Sequence, residues 1–176
     1  MEIRDSGNRR SFDSGAVRDI AEGKGRCDLL PLGVANYVID EITGEDCYGS
    51  FFLNRLEEYI YHGNDERLAD AIKQFCLERN WDAFTALLEV AVHYEQGARK
   101  YAERNWEKGI PLHCYIDSAV RHYLKWRRGD TDEPHDRAVI WNLLGAIWTA
   151  RYMPQLNDLP SGSIDKEDDD ADTDTD

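Results

Sequence analysis

The stretch Gly97-Ala98-Arg99-Lys100-Tyr101-Ala102-Glu103-Arg104-Asn105-Trp106-Glu107-Lys108-Gly109-Ile110-Pro111 sets four cations, two large rings and two glycines into fifteen residues. Cations neutralise phosphate oxygens, and aromatic faces stack on flat groups. Between residues 95 and 128 eight Lys/Arg stand against four acids, a local balance of +4 inside a chain of net charge −14. A basic island of that size suits a small phosphorylated ligand. It would do little for a long nucleic acid, whose affinity is built from many phosphate contacts. Lys100, Tyr101, Arg104, Asn105 and Trp106 are candidate contacts, joined downstream by Arg121, Lys125 and Trp126.

Four polar residues sit where helical spacing makes them conspicuous. Glu95 falls within the apolar stripe of Leu88, Ala91, Ala98 and Ala102, where a carboxylate needs a cation, a metal or hydrogen-bond donors. A structural ion pair with Arg121 or a neighbour competes with metal or ligand binding for it. His122 lies beside Arg121 on a basic face shared with Lys125, and it is either a hydrogen-bonded core residue or a catalytic group. His135 and Asn142 stack two turns apart, about 10.5 Å. Asn142, between Trp141 and Leu143, either caps a neighbouring loop or reads a base or ribose. Asp130, Asp132, Glu133 and Asp136 crowd the start of the same helix, as capping residues or, with His135, as oxygen donors to a divalent ion. The expected metal set is Glu95, Asp132 and His135, and the expected catalytic set is Glu95, His122 and His135.

The first thirty residues read as an irregular arm, because Gly7, Gly15, Gly23 and Gly25 interrupt each possible helix. Within it Arg18, Lys24 and Arg26 alternate with glycines, which let a backbone approach polyphosphate closely. A short helix starts near Pro31. Beyond residue 50 the periodicity is helical. Phe51, Phe52, Leu56, Tyr59 and Ile60 mark one helix. Asn64 or Asp65 caps a second that carries Leu68, Ala71, Ile72, Phe75 and Cys76. A third runs over about 82–103 with Phe84, Leu87, Leu88, Ala91, Ala98 and Ala102 on one face. A fourth covers 113–128 and stops at Gly129. A fifth, capped by Asp132, covers 133–152. The expected fold is all-α, a bundle of about five helices between the arm and a disordered acidic tail.

The tail, residues 159–176, includes twelve residues of net charge −7, which suits a solubilising appendage better than a metal-binding or DNA-mimicking one. Residues 31–158 make the helical ligand-binding domain. Four cysteines without a C-x-x-C pair, no signal segment and no apolar run of membrane-spanning length lead to the expectation of a soluble cytoplasmic protein with no membrane partner.

Taken in order, three blocks resemble a phage and prophage family named for dATP/dGTP diphosphohydrolase, N-terminal domain. The first is Arg26-x-Asp28-Leu29-Leu30-Pro31. The second is His93-Tyr94-Glu95-x-Gly97-Ala98-x-Lys100-Tyr101-x-x-Arg104-Asn105-Trp106-x-x-Gly109-Ile110-Pro111. The third is Tyr115-x-Asp117-Ser118-Ala119-x-Arg121-His122-x-x-x-Trp126-x-x-Gly129-Asp130-x-Asp132-Glu133, followed by His135-x-x-Ala138-x-x-Trp141-Asn142. The resemblance covers residues 1–31 and 89–158, with 32–88 reading as an insertion. It implies a relation to the MazG-like all-α nucleoside-triphosphate pyrophosphohydrolases, a Mg²⁺ cofactor, a purine deoxynucleotide ligand and a homo-oligomer. Those enzymes hold Mg²⁺ with E-x-x-E and E-x-x-D acids. In this chain His135 and Ala138 align with the second motif, and the first has no clear counterpart. Two activities are therefore open: Mg²⁺-dependent hydrolysis of dATP/dGTP, or a non-catalytic sponge that sequesters a nucleotide immune signal. A structural bundle whose basic face binds an acidic partner, or the chain's own tail, is the blander alternative.

Overall fold

A computed structural model describes residues 7–43 and 49–162. Six helices are present among them: α1 Leu32–Thr43, α2 Gly49–His62, α3 Asp65–Arg79, α4 Ala83–Tyr101, α5 Leu112–Arg128 and α6 His135–Tyr152. The fold is all-α, with one small hairpin of strands β1 Arg9–Ser11 and β2 Val17–Asp19. No helix among the described residues is long and apolar enough to cross a membrane.

Local chemistry sets the helix ends. Asn64 caps α3 by accepting from the Glu66 amide, and Asn80 closes it in the left-handed conformation, φ 56°. The Asp82 carboxylate accepts from the amides of Phe84 and Thr85 to open α4. Gly129, φ 84°, ends α5. The start of α6 departs from expectation: its first helical residue is His135, preceded by Pro134, and Asp132 does not cap it. The Asp132 carboxylate instead accepts from the His135 ring.

Helix α6 is the hub, packed by α3, α4 and α5, which is why its apolar residues lie nearly all round it. Close approach of α5 and α6 depends on Gly145, where a Cβ would stand 2.4 Å from Cε1 of the fully buried Tyr115. Phe52 of α2 stacks on Tyr123 of α5 at 4.2 Å, and Phe75 of α3 meets the Trp126 ring edge-on at 5.0 Å. Each such buried ring is worth about 3–5 kcal/mol against truncation to alanine.

Two expectations need correction. The arm is not irregular throughout: Gly15, φ +80°, turns a hairpin whose Ala16 is fully buried. The apolar stripe assigned to α4 does not face the core. Phe84, Leu87 and Leu88 are 81%, 55% and 72% exposed, while Ala86, Val90 and His93 are buried. At the other end, Leu159 and Ser161 are buried, so packing continues past residue 158. The remainder of the acidic segment, 163–176, lies outside the described residues.

Candidate functional site

The hairpin folds onto the groove formed by α4, α5 and α6, and Asn105 clasps it there. This buried amide pairs with the backbone of Val17 in both directions, Oδ1 accepting from the amide at 3.0 Å and Nδ2 donating to the carbonyl at 2.9 Å. Arg9 and Asp19, directly opposite across the hairpin, form an ion pair at 2.9 Å. Lys100 of α4 joins it at 2.8 Å from Asp19.

Beneath the hairpin opens a cavity of about 1080 Å³, at the upper end for a small-ligand site. Its wall includes Arg10, Arg18, Lys24, Lys100, Arg104, Arg121 and Lys125 against Asp19, Glu95, Glu103 and Glu133. Rings of Tyr94, Tyr101, Trp106 and Trp141 complete it. Of the residues expected from sequence, Arg18, Lys24, Glu95, Lys100, Tyr101, Arg104, Asn105, Trp106, Arg121, His122, Lys125 and Asn142 all line this space. Cations from the arm, α4 and α5 thus converge on one volume.

Arg18 is the centre of it. Its guanidinium donates from Nη1 to the Cys114 carbonyl at 3.0 Å, and from Nη2 to Ser118 Oγ at 3.1 Å and Asn142 Oδ1 at 2.8 Å. It stacks over Tyr115 and Trp141, 5.3 and 5.6 Å from their centroids. Burial pushes its pKa down, yet a guanidinium stays protonated in proteins. All three acceptors are neutral, so among the described residues its charge meets the cavity without a carboxylate partner. Arg121 is held differently, by Asp117 at 2.6 Å and Ser118 Oγ at 2.9 Å. Burial also lowers the Lys24 pKa, and the surrounding charges pull both ways.

Four expected residues do not line the main cavity. Arg26 is exposed and forks onto Asp28. Trp126 packs on Phe75 and borders a second cavity of about 550 Å³ behind Glu133. His135 borders that second cavity, and Asp132 is tied to His135 Nε2 at 2.8 Å and Lys125 at 3.2 Å. Glu95 lines the main cavity from an exposed position and pairs with Arg99, one turn on, rather than with Arg121. Its place on α4 is the helix face the core leaves uncovered. Glu95, Asp132 and His135 are therefore not gathered, and that trio does not fit a Mg²⁺ ion.

Two other clusters are gathered among the described residues: one of Asp130, Asp132 and His135, the expected acids and histidine at the start of α6, and one that brings in His122. Ligand atoms of His122, Glu133 and His135 lie within 4.8 Å of one another. The two Nδ1 atoms are 2.9 Å apart, and each is 3.8 Å from Glu133 Oε1. Burial, with Arg121 close by, drives the His122 pKa well below its ordinary value, so the ring is neutral. His93, 8% exposed on the cavity wall, has an unpartnered buried Nδ1, and burial takes its pKa down to about 4.

Sequence reasoning left His93, Ser118 and Trp141 out of the site, and it named Glu133 only among the acids that could hold a divalent ion with His135, not in the expected metal set. All four stand in the quoted motifs, and Trp141 and Ser118 are one position or one turn from chosen residues. The signal was present in the motif but not in periodicity.

Comparison with curated proteins and with solved structures yields no match. A family model described as dATP/dGTP diphosphohydrolase, N-terminal, matches residues 66–159. That span takes in nearly all of α3 and the whole of α4, and the arm lies outside it. With more than half of the 176 residues inside the match, the chain belongs to the dATP/dGTP diphosphohydrolase N-terminal family.

Proposed function

We propose that the main cavity binds a purine deoxynucleoside triphosphate as its Mg²⁺ complex, and that the chain hydrolyses it to monophosphate and pyrophosphate, as the family description suggests. The observation that carries the binding is Arg18: a guanidinium held, among the described residues, only by neutral acceptors in a cation-lined cavity. A phosphate there gains charge-assisted hydrogen bonds without displacing a carboxylate. Lys24, Lys100, Arg121 and Lys125 spread the remaining phosphate charge, and Trp106 and Trp141 offer stacking faces to the purine. Water attacks the α-phosphorus, and a histidine of the cavity wall, His93 or His122, takes its proton.

A second reading has its own support. Three of the four cavity carboxylates are engaged by basic groups: Asp19 by Arg9 and Lys100, Glu95 by Arg99, and Glu133 within 4.0 Å of Lys125. A pocket so short of free acids favours retention over turnover, which in a phage setting would make a sponge for a nucleotide signal. Incubation with dATP, dGTP and Mg²⁺, followed by chromatography of free and protein-bound nucleotide, separates the two. Monophosphate and pyrophosphate support the hydrolase. Intact nucleotide released on denaturation supports the sponge, and no retention with no turnover removes both.

The uncovered face of α4 supports a homo-oligomer: Phe84, Leu87 and Leu88 form an exposed apolar strip that a second copy would cover.

A further inference from the structure

We propose that His122, Glu133 and His135 form a site for a first-row transition-metal dication of the Zn²⁺ class, in the wall between the two cavities. The donor set is imidazole-rich, and two imidazoles with one carboxylate select transition metals over Mg²⁺ or Ca²⁺, which take oxygen ligands.

A hydrogen-bond partner fixes the His135 tautomer. The Asp132 carboxylate can only accept, and it lies 2.8 Å from His135 Nε2, so that nitrogen carries a proton. Nδ1 of His135 then presents a lone pair toward His122, whose Nδ1–H donates to it at 2.9 Å; a metal ion would replace that proton, which moves to Nε2 of His122 or to water. A carboxylate behind a ligating histidine is the usual outer support of a metal site.

The spacing fits an ion. Two nitrogens 2.9 Å apart subtend about 90° at a metal roughly 2.0–2.1 Å from each. Glu133 Oε1 is equidistant from both, at 3.8 Å. An ideal tetrahedral separation is about 3.4 Å, so the carboxylate closes by a few tenths of an ångström on binding. His122 and Glu133 line the larger cavity and His135 the smaller, and His135 is 2% exposed. The cluster therefore stands between the two cavities, on the wall that Arg121 and Lys125 also line. This assignment stands without any nucleotide, so it survives or fails independently of the proposed activity.

The test uses the full chain without nucleotide, stripped with chelator and dialysed against Zn²⁺, Co²⁺ or Mg²⁺ alone. Elemental analysis is expected to show about one equivalent of Zn²⁺ or Co²⁺, with Mg²⁺ at least tenfold weaker. Co²⁺ is expected to develop a visible band from nitrogen ligation, and Zn²⁺ to raise the melting temperature by about 5 °C. His122→Gln and Glu133→Gln are expected to lower affinity at least tenfold, and Asp132→Asn by about 10–100-fold. His113→Gln, which removes a histidine outside the cluster, is expected to keep the full equivalent. Should the variants fail to fold, the Co²⁺ spectrum of the unaltered chain decides. Uptake below about 0.2 equivalents, a Co²⁺ spectrum equal to that of the aqueous ion, or full uptake by His122→Gln would overturn the site.

Discussion

Nη2 of Arg18 donates to Oδ1 of Asn142 at 2.8 Å, joining the second strand of the N-terminal hairpin to the middle of the hub helix, 124 residues further along. The other end of the same amide donates to the Ala138 carbonyl at 2.7 Å, so Asn142 is satisfied within the protein and acts by holding Arg18. Asn142→Ala is expected to weaken nucleotide binding about tenfold through a loosened Arg18, the equivalent of one hydrogen bond to a charged group. Asn142→Asp would add a carboxylate beside the guanidinium and should weaken binding further. Titration calorimetry of both variants checks this, and an Asp variant that binds better than the Ala variant contradicts it.

The hairpin depends on Asn105 in the same way. Asn105→Ala leaves both backbone groups of Val17 without their partner, at a cost of about 1–3 kcal/mol. Amide exchange at Val17 should accelerate strongly, while amides in the middle of α5 stay protected. Uniform acceleration across the chain would show that the hairpin is not a separate unit.

Gly145→Ala is expected to destabilise the bundle, because the added methyl meets the Tyr115 ring. Overpacking of this kind costs about 1–3 kcal/mol. Denaturant titration reads it. Tyr115→Leu in the same chain, by removing the ring, should recover part of the loss.

His113 and Asp158 give a pH signature remote from the cavity. The Asp158 carboxylate accepts from the His113 amide at 2.9 Å and pairs with its ring, raising the His113 pKa from 6.5 to about 10. A raised histidine pKa stabilises the fold fully below pH 6.5 and loses that effect as pH rises through about 10. The Asp158 pKa is lowered, so its share is present above the ordinary 3.8 and is lost on acidification. Because the pair is partly exposed, Asp158→Asn is expected to cost only about 1 kcal/mol at pH 7. The melting-temperature gap to the unaltered chain should narrow between pH 7 and 10.5. A constant gap counts against the ion pair.

Leu88→Glu tests the uncovered strip of α4. The residue is 72% exposed, so the substitution should leave monomer stability within about 0.5 kcal/mol. Sedimentation velocity is expected to show a homo-oligomer for the unaltered chain and a monomer for the variant. A monomer in both cases removes the oligomer.

Helix existence was legible because capping residues and apolar spacing agree at Asn64 of α3 and at Gly129 of α5, while α6 was legible from its apolar residues alone. The direction of α4 was not. It carries apolar residues on two sides, and periodicity alone cannot say which side the other helices reach. That error placed Glu95 in the core. The hairpin escaped notice because three-residue strands leave no alternation to read, and its hold comes from Asn105 and Arg18, contacts distant in sequence. The candidate cations were readable from type and spacing, and most of them line one cavity. Metal donors at the start of α6 were readable too, but not their pairing with His122, which requires the turn between α5 and α6 to bring them face to face.

Equilibrium dialysis of dATP and dGTP, each with Mg²⁺, against the unaltered chain, Arg18→Lys and Arg18→Ala tests the central claim most directly. The unaltered chain should retain about one nucleotide with salt-sensitive affinity. Arg18→Lys should bind less tightly and Arg18→Ala least, by about 10–100-fold, because the fork that meets the phosphate is lost. Equal retention by all three, or no retention by the unaltered chain, would contradict a phosphate site built on Arg18.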